Sequence, residues 1–412
     1  MRPPRAPKGK ASKVPGPPKA PEPPKAPRAR EEPPERCFAV AAPGLEALVA
    51  AELRALGHEA AVPEPGGVEF TGGPEALGRA HLWLRTASRV LVRLGEFHAG
   101  SFAELERHAR RLPWERWLSR GEAVRFRVSC QRSRLYHSGA VAERLGEAAA
   151  LRAGAVAGEG AEGGDEEAGD GQLVVVRVVE NRCTVSVDAS GALLHRRGYR
   201  LATAKAPLRE TLAAALLLAT GWNGRTPLID PLCGSGTIAL EAALLARGVA
   251  PGRRRRFRFM DWPEFDAALW SALCAEADER ALVAAPMPIL ACDRDPGAIR
   301  ATEDNARRAG VEGDVVCRVQ PLGALAAPAG VPLQGLVATN PPYGERVGTR
   351  GSLRGFYMEM DAALRRACAG WGLALIAPER TAALLHIPLT PVVHTRNGGI
   401  PVQILVGQVP GG

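Results

Sequence analysis

Residues 226–246 read TPLIDPLCGSGTIALEAALLA, in which two apolar segments flank a loop that contains two glycines. TPLID predicts a buried strand, and IALEAALLA predicts a helix. The loop DPLCGSGT between them allows a tight turn, and the N-terminus of the following helix offers free N–H groups to an anion. Strand, glycine loop and helix in this order are compatible with nucleotide, nicotinamide or flavin binding, and also with a plain turn.

The alternation of strand and helix continues towards the C-terminus. Further strand patterns are MPILACD, VVCRVQ, LQGLVATN and WGLALIA, and helical patterns separate most of them. Such alternation predicts a mostly parallel sheet covered by helices on both faces. Because ligands of open sheets bind beyond the carboxyl ends of the strands, the loops DPLCGSGT, DRDP and NPPY should share one crevice. Residues 248–281 form an insertion in this pattern and are predicted to contain a helix of their own.

The acid at the end of the second strand suits a cofactor with a ribose. Asp293 follows the apolar run PILAC and is placed to accept hydrogen bonds from two ribose hydroxyls. An alternative interpretation is that Asp293 caps the helix that begins at Pro296. The presence of DPLCGSGT before it and NPPY after it favours the cofactor site.

Residues 339–348 read TNPPYGERVG and follow a buried strand pattern. The Asn340 side-chain oxygen and the Pro341 carbonyl can accept both N–H groups of an exocyclic amine, which holds the nitrogen and favours tetrahedral geometry during methylation. Tyr343 offers a flat apolar surface on which a flipped base can stack. The alternative is an ordinary Asn-Pro turn. The position of NPPY after both cofactor loops favours an active site.

Composition restricts the class of protein. The eight cysteines of the 412-residue chain are spread singly, without a C-x-x-C pair or a histidine at metal-ligand spacing, so we expect reduced thiols and no metal site. The longest apolar stretch, LAAALLLATGW, is about half of the roughly 20 residues that a membrane span requires. We therefore expect no membrane association, no secretory signal and a cytoplasmic location.

Charge is distributed unevenly. The net charge is +9, of which +5 lies in a Pro-rich tail, residues 1–35, that is predicted to be disordered. Residues 154–172 carry six acids and no base and are predicted to be a disordered surface insertion. The remaining body is basic, at about +10, which predicts an anionic partner.

The N-terminal half has two units of strand and helix patterns. RCFAVAA predicts a strand, a helix follows from Gly44 to Gly57, and GGVEFTG, a helix from Pro74 and SRVLVRLGEF complete the first unit. The second unit contains EAVRFRVSC, in which arginines alternate with apolar residues as in a half-buried strand. Its end, LVVVRVVENRCTVSVDAS, predicts two strands joined at a turn near Glu180 and Asn181.

With these motifs in place, the chain resembles the class I S-adenosylmethionine-dependent RNA methyltransferases that carry a THUMP domain. It is most similar to bacterial 23S rRNA guanine-N2 methyltransferases. The matching residues are HRRGYR from His195, PLRETLAAAL from Pro207, DPLCGSGTIALEAALLARGVAPG, the strand end at Asp293 and NPPYGERVG. RFRVSCQRSRLYHSGAVAERL, from Arg125, is similar to the THUMP core.

The resemblance implies an α/β protein with a ferredoxin-like module at 36–100, a THUMP domain at 101–195 and a Rossmann-like methyltransferase domain at 196–412. It implies S-adenosylmethionine as cofactor and RNA, specifically 23S rRNA, as partner. By position, Asn340, Pro341 and Tyr343 would hold the target base and Asp293 the ribose. The methionine moiety would lie against the loop residues Asp230, Cys233, Gly234, Ser235, Gly236 and Thr237.

Two departures from the family pattern affect these expectations. Many members have an acid after the fourth core strand that accepts the adenine amine, whereas this chain reads Val319-Gln320-Pro321, which makes Gln320 the candidate. Some relatives continue into a second methyltransferase domain, whereas this chain ends at Gly412, so we expect no second activity.

Two arginine clusters are candidates for phosphate contacts with RNA. The first lies on the THUMP-like segment and the second on the insertion, which we expect to lie near the catalytic crevice. A charge run is also typical of an ordinary solvated face. The clusters consist of Arg125, Arg127, Arg132 and Arg134, and of Arg253, Arg254, Arg255, Arg256 and Arg258.

Three functions remain open at this stage. The first is guanine-N2 methylation of 23S rRNA. The second is methylation of another amine, on tRNA guanine, DNA adenine or a protein glutamine, and the basic THUMP-like half argues against the last two. The third is a non-catalytic RNA-binding or ribosome-assembly factor that retains the fold, which S-adenosylmethionine binding would distinguish.

Overall fold

Two β-sheets, one in each half of the chain, organise the molecule. The structure is a computed structural model that describes residues 34–158, 170–200, 208–327, 334–343 and 350–411. Most of the predicted basic tail and the predicted acidic insertion lie outside these residues. From Pro34 onwards the chain forms one compact unit.

The N-terminal sheet has eight strands in the order β2-β3-β1-β4-β8-β7-β5-β6. Its strands are β1 Glu35–Ala41, β2 Val62–Glu64, β3 Gly67–Gly72, β4 Ala87–His98, β5 Ala123–Gln131, β6 Val156–Ala157, β7 Gln172–Val179 and β8 Arg182–Asp188. Its helices are α1 Glu46–Ala55, α2 Pro74–Trp83, α3 Phe102–Ala109 and α4 Ser138–Ala153. Because β4 pairs antiparallel with β8, the strands of the predicted ferredoxin-like and THUMP modules share one sheet.

Local sequence explains several of these elements. Helix α1 buries Val49 and Leu53, and the chain leaves it through Gly57 at φ 95°, a left-handed conformation that favours glycine. Strands β7 and β8 are joined by Glu180 and Asn181, at φ 52° and 63°. Two successive residues with positive φ form the tight turn whose twist matches a hairpin. The predicted strands and the predicted turn are confirmed here.

The C-terminal sheet has seven strands in the order β11-β10-β9-β12-β13-β15-β14. They are β9 Leu228–Asp230, β10 Ile289–Asp293, β11 Val315–Val319, β12 Leu336–Thr339, β13 Gly372–Ala377, β14 Leu389–Asn397 and β15 Ile400–Gln408. The helices are α5 Glu210–Ala219, α6 Thr237–Ala246, α7 Ala267–Arg280, α8 Pro296–Ala309, α9 Arg350–Ala367 and α10 Glu379–Ala382.

Strands β9 to β13 are parallel, as the alternation predicts. The sequence pattern did not predict the hairpin of β14 and β15, which adds two antiparallel strands beyond β13. The chain passes from β9 to β10 on one side and later to β12 on the other side of β9. This reversal of strand order creates a crevice between the carboxyl ends of β9 and β12. No helix of the described residues is long and apolar enough to cross a membrane.

The insertion between α6 and β10 packs against the N-terminal half. Its helix α7 lies on α2, where Arg79 donates to both carboxylate oxygens of Glu276 at 3.0 and 2.7 Å. Leu273 packs so closely beneath Gly78 that a Cβ there would lie 2.7 Å from Leu273 Cδ1. Trp262 of the insertion meets Trp117 edge to face, with ring centroids 4.7 Å apart. The insertion therefore joins the two halves.

A buried ion pair also joins the two halves. Arg197, from HRRGYR, has its Nε 3.4 Å from Glu241 Oε1 on α6, and these side chains are 3% and 0% exposed. The Tyr199 hydroxyl donates to the same oxygen at 2.9 Å. Arg197 also donates to the carbonyl of Arg85, in the N-terminal half, at 2.6 Å. The Arg197 side chain thus bonds to both halves.

We expect Glu241→Ala to lower the free energy of unfolding by about 3–5 kcal/mol, because it leaves the Arg197 guanidinium buried without its carboxylate. Chemical denaturation measures the change. The control is Asp304→Ala, which removes an exposed pair with Arg307 and should cost less than about 0.5 kcal/mol. Equal effects of the two substitutions would contradict a structural role for the buried pair.

Candidate active site

The candidate site lies at the carboxyl ends of β9, β10 and β12. Asp230 ends β9, Asp293 ends β10, and Asn340 follows β12 directly. Three loops that are far apart in sequence therefore meet at one edge of the sheet, as expected.

The two glycines of the glycine loop, Gly234 and Gly236, have different surroundings. Gly236 precedes α6 at φ 84°, and a Cβ there would lie 2.5 Å from Thr302 Cγ2 and 2.8 Å from Leu240 Cδ1. A side chain at this position would prevent the loop from packing on α8. Gly234, at φ 53°, has no described atom within 4 Å of the position that a Cβ would occupy. This part of the loop leaves room for a ligand to approach the backbone.

Helix α8 supports the loop through polar side chains that the sequence reasoning missed. Thr302 Oγ1 donates to the Gly234 carbonyl at 3.0 Å, and Asn305 Nδ2 donates to the Ser235 carbonyl at 2.9 Å. Both side chains are buried. Their spacing of three residues, on the face of α8 that also buries Ile299, was the available signal.

Cys233 has a structural position in the loop. Its backbone N–H donates to the Cys292 carbonyl at 2.8 Å, and its thiol lies 3.7 Å from Thr302 Oγ1. Burial raises the pKa of the Cys233 thiol, so the thiol stays protonated. Thr237, the first residue of α6, has its hydroxyl 3.3 Å from an Arg200 guanidinium nitrogen.

Asp293 is held in a fixed orientation. Its Oδ2 accepts the Gly234 N–H, and its Oδ1 accepts the Asp295 N–H, both at 3.0 Å. The residue that caps α8 is Asp295, whose side chain accepts the Gly297 N–H at 2.8 Å. The interpretation of Asp293 as the cap of that helix is therefore wrong. A partly exposed carboxylate beside an open glycine loop fits a ligand with hydroxyl donors.

Gln320 lies next to Asp293, because its N–H donates to the Asp293 carbonyl at 2.8 Å. Its side-chain Oε1 accepts the Cys292 thiol at 3.2 Å, and its Nε2 donates to the Ala324 carbonyl. Both ends of the amide are thus bonded within the protein. The position fits the expected adenine pocket, and a direct contact with adenine remains a prediction.

Asp230 lies beneath the crevice and contacts the protein. It is 1% exposed, and its Oδ1 accepts the Thr339 hydroxyl at 2.8 Å and the Leu232 N–H at 3.2 Å. Burial raises its pKa to about 7. Asp230 therefore connects the glycine loop to the residue that precedes Asn340, and its contact with the cofactor stays a prediction.

Asn340 and Tyr343 show two different environments. Asn340 Oδ1 is buried and has no hydrogen-bond partner among the described residues, which costs about 1–3 kcal/mol unless a donor binds there. Tyr343 is 9% exposed, and its hydroxyl accepts Asn397 Nδ2 at 2.7 Å. Asn397 ends β14, which the sequence reasoning did not predict. Pro341, which lies between these two residues in the sequence, is buried. Residues 344–348 of the motif lie outside the described residues.

The arginines of the insertion are used within the protein. Arg253 donates to both oxygens of Asp278 at 2.8 Å. Arg255 donates to the carbonyls of Leu193 and Ala192 and lies over the Phe257 ring. The remaining members bond as follows: Arg254 to the Arg308 carbonyl, Arg256 to Asp261, and Arg258 to Glu122 and Asp261.

The expectation that this cluster flanks the crevice is therefore corrected. Arg254 meets α8 at its last turn, whereas the crevice lies at the strand ends from which the helices begin. The insertion extends towards the N-terminal half because its apolar side chains, such as Leu273 and Trp262, are buried there. Arg254 and Arg256 are nevertheless exposed.

The arginines of the THUMP-like segment lie on β5 and the loop that follows it. Arg125 and Arg127 are half-buried, and Arg125 Nε donates to the Asp170 carbonyl at 2.9 Å. Arg132 and Arg134 are exposed. Among the described residues, no group of three or more His, Cys, Asp or Glu side chains is arranged to hold a metal ion.

Comparison with known proteins identifies the family. Residues 197–387 match the model of the RMKL-like methyltransferase domain, and residues 36–91 match the RlmL ferredoxin-like domain. A putative RNA methyltransferase of Synechocystis is 35% identical over 380 residues, which cover 89% of this chain and 95% of that protein. The chain belongs to the RMKL-like methyltransferases. The expected order of a ferredoxin-like module and a Rossmann-like methyltransferase domain is confirmed.

Other members of the RMKL-like family differ in length. YpsC of Bacillus subtilis, named a putative RNA methyltransferase, is 35% identical over 337 residues, which cover 79% of this chain and 83% of YpsC. The ribosomal RNA large subunit methyltransferase K/L of Syntrophotalea carbinolica is 37% identical over 386 residues, 90% of this chain and 53% of that protein. The chain therefore spans about half the length of the K/L relative.

Solved structures share the fold of this RMKL-like chain. A predicted N6-adenine-specific DNA methylase from Listeria monocytogenes matches with a TM-score of 0.78 and 30% identity, covering 92% of this chain and 97% of that one. A putative methyltransferase complexed with SAH matches with a TM-score of 0.78 and 29% identity, covering 92% and 99%.

The buried carboxyl of Asp230 generates a pH-dependent prediction. Its folded-state pKa of about 7 lies above its ordinary value of 3.8, so the folded protein retains a proton that the unfolded chain loses. This group should make the free energy of unfolding fall as pH rises between these values and stay constant above them. In Asp230→Asn, which keeps an acceptor oxygen, this contribution should be absent.

Urea denaturation of both proteins between about pH 4 and pH 8 measures the difference in their free energies of unfolding. We expect the stability of Asp230→Asn relative to the unsubstituted protein to increase with pH. Asp304→Asn, at an exposed carboxylate, is the control and should leave the pH dependence unchanged. An unchanged pH dependence in Asp230→Asn would show that Asp230 is ionised throughout.

Proposed function

We propose that the chain transfers a methyl group from S-adenosylmethionine to the exocyclic N2 amine of a guanine in RNA, with 23S rRNA as the substrate. The observation that carries this proposal is the buried side-chain oxygen of Asn340, which has no donor among the described residues. It follows the strand end that is bonded to the cofactor loop through Thr339 and Asp230. An acceptor at this place fits an N–H group that arrives with the substrate.

The cofactor fits the loops that surround this acceptor. S-adenosylmethionine, when bound, supplies a methyl group on a sulfonium centre that is open to nucleophilic attack. The open backbone at Gly234 can accommodate the methionine end, and the oriented Asp293 carboxylate can accept the ribose hydroxyls. The putative methyltransferase with the same fold was solved in complex with SAH, which supports the same cofactor here.

The residues at the target amine have to orient it rather than deprotonate it. An exocyclic amine is a weak nucleophile because its lone pair is delocalised into the ring. Hydrogen bonds to Asn340 Oδ1 and to the Pro341 carbonyl would draw the two N–H groups out of the base plane and direct the lone pair at the methyl carbon. Pro341 and Pro342 stiffen this backbone, and Tyr343 can support the base from one side.

RNA is the favoured substrate class. The relatives from Synechocystis and Bacillus subtilis are named putative RNA methyltransferases, and longer relatives are named ribosomal RNA large subunit methyltransferases. The basic net charge of the chain suits a polyanion. The structure from Listeria, named as a predicted adenine-specific DNA methylase, marks DNA adenine as a second candidate, because adenine also presents an exocyclic amine.

Two measurements separate these candidates. Mass spectrometry of nucleosides from rRNA, tRNA and DNA of a deletion strain should show loss of N2-methylguanosine from 23S rRNA alone. Loss from tRNA, or loss of N6-methyladenine from DNA, would assign the activity to those substrates instead. Calorimetry with S-adenosylmethionine tests the non-catalytic alternative, which predicts no binding.

We expect Asn340→Ala to reduce the rate of methyl transfer by at least about 100-fold, in line with the loss of one oriented polar group at a transition state. Affinity for S-adenosylmethionine should stay within a few-fold, since Asn340 would contact the base and not the cofactor. Radiolabel transfer and calorimetry measure the two quantities. Asn223→Ala, an exposed amide in the loop before β9, is the control. A variant Asn340→Ala with full activity would exclude the proposed role.

The hydrogen bond from Asn397 to Tyr343 generates a second prediction. If Asn397 positions the Tyr343 ring through its hydroxyl, Asn397→Ala should lower kcat about 3- to 10-fold, the equivalent of one hydrogen bond. In a Tyr343→Phe background, the same substitution should have no further effect. Arg396→Ala, on the same strand, is the control. Additive losses would show that Asn397 acts independently of Tyr343.

A further inference from the structure

The loop between β5 and α4 carries an exposed aromatic side chain that is not part of the candidate active site. Residues 132–137 read RSRLYH, and Tyr136 is 70% exposed. All four tyrosines of the chain lie in its described part, and Tyr199, Tyr343 and Tyr357 are buried. The ring of Tyr136 lies 4.2 Å from that of His137, centroid to centroid. The two rings are tilted by 39° to each other, and both side chains are exposed to solvent, so the face of the Tyr136 ring is accessible.

This loop is held firmly by hydrogen bonds. Ser133 Oγ donates to the Gln131 carbonyl at 2.7 Å and accepts the Asn181 N–H at 3.0 Å. The Arg134 N–H donates to Asn181 Oδ1 at 2.8 Å. Leu135, directly before Tyr136, is buried. The exposure of Tyr136 is therefore a property of an ordered loop, and a ligand that binds its ring does not have to order the backbone first.

Two arginines precede the aromatic side chains in the same loop. Arg134 is exposed, and Arg132 is 77% exposed and adopts φ 46°. Arg132 faces one acid, Glu180, at 3.4 Å, and Glu180 is itself 67% exposed. Such a surface ion pair contributes little, so a phosphate can replace it at small cost. The loop thus combines a stacking surface with positive charge.

We propose that this loop, residues 132–137, binds a single-stranded segment of the RNA, with an unpaired base stacked on Tyr136 and the adjoining phosphates on Arg132 and Arg134. The inference rests on the proposed function, which makes RNA the substrate. An exposed ring in one loop with two exposed arginines suits a single strand, since every unpaired base offers a flat face and every nucleotide a phosphate. A continuous duplex hides those faces within its stack and offers only phosphates and groove edges.

The test uses the full-length protein and two RNAs, a single-stranded oligonucleotide of about 12 nucleotides and a blunt duplex of the same length. This length lies within the range that one single-strand-binding module covers. Fluorescence anisotropy measures both affinities for the unsubstituted protein and for Tyr136→Ala, Tyr136→Phe and Leu151→Ala. Leu151 is the matched control because it is 69% exposed on α4 of the same half and is not aromatic. Thermal unfolding verifies that the variants fold.

We expect Tyr136→Ala to weaken single-strand binding about 5- to 100-fold, the range for loss of one stacked base, and to leave duplex binding unchanged. Tyr136→Phe should retain the affinity, because the ring and not the hydroxyl carries the contact. Leu151→Ala should have no effect. Unchanged single-strand affinity in Tyr136→Ala, or an equal loss for both RNAs, would overturn the proposal.

Methyl transfer distinguishes a failure of this inference from a failure of the proposed function. If the unsubstituted protein methylates rRNA and Tyr136→Ala binds single strands normally, only the inferred site is wrong. If the unsubstituted protein neither binds nor methylates RNA, the proposed function and the inferred site fail together.

Discussion

The hydrogen bond from Thr339 Oγ1 to Asp230 Oδ1 fixes the relation between the two loops on which the active site depends. One end of this bond belongs to the glycine loop and the other precedes Asn340, so the bond sets the distance between the glycine loop and the Asn340 side chain. The buried acid is costly in the folded state, as its raised pKa shows. Its hydrogen bonds to Thr339 and Leu232 nevertheless hold the two strand ends in a fixed relation.

The other polar groups of the crevice are also held in place by hydrogen bonds to neighbouring residues. Thr302 and Asn305 hold the Gly234 and Ser235 carbonyls of the glycine loop. Gly234 and Asp295 hold the two oxygens of Asp293. Asn340 Oδ1 differs from these groups in having no partner among the described residues. Because these other polar groups have partners within the protein, Asn340 Oδ1 is the acceptor that a ligand can use.

The sequence was sufficient to predict the strands, the parallel sheet and the meeting of three loops, because periodicity and order along the chain determine these features. It was insufficient for side-chain pairs such as Asn397 with Tyr343, which join residues 54 positions apart across a hairpin that carries no clear alternation. The predicted position of the insertion arginines near the crevice was wrong for a related reason. A charge pattern shows that arginines are present, whereas their use is set by acids and carbonyls, such as Asp278 and Leu193, that only folding brings near.

Strand β14 connects the N-terminal half to the NPPY loop. Gly44, two residues before α1, approaches β14 so closely that a Cβ would overlap the carbonyl oxygen of His394. Three residues further along, Asn397 bonds to Tyr343. Together with the buried Arg197, this contact holds the N-terminal sheet at a fixed distance from the crevice. An RNA that contacts both must therefore present its target base at a set separation from the segment bound by the N-terminal half, so substrate choice can depend on RNA shape as well as on the base itself.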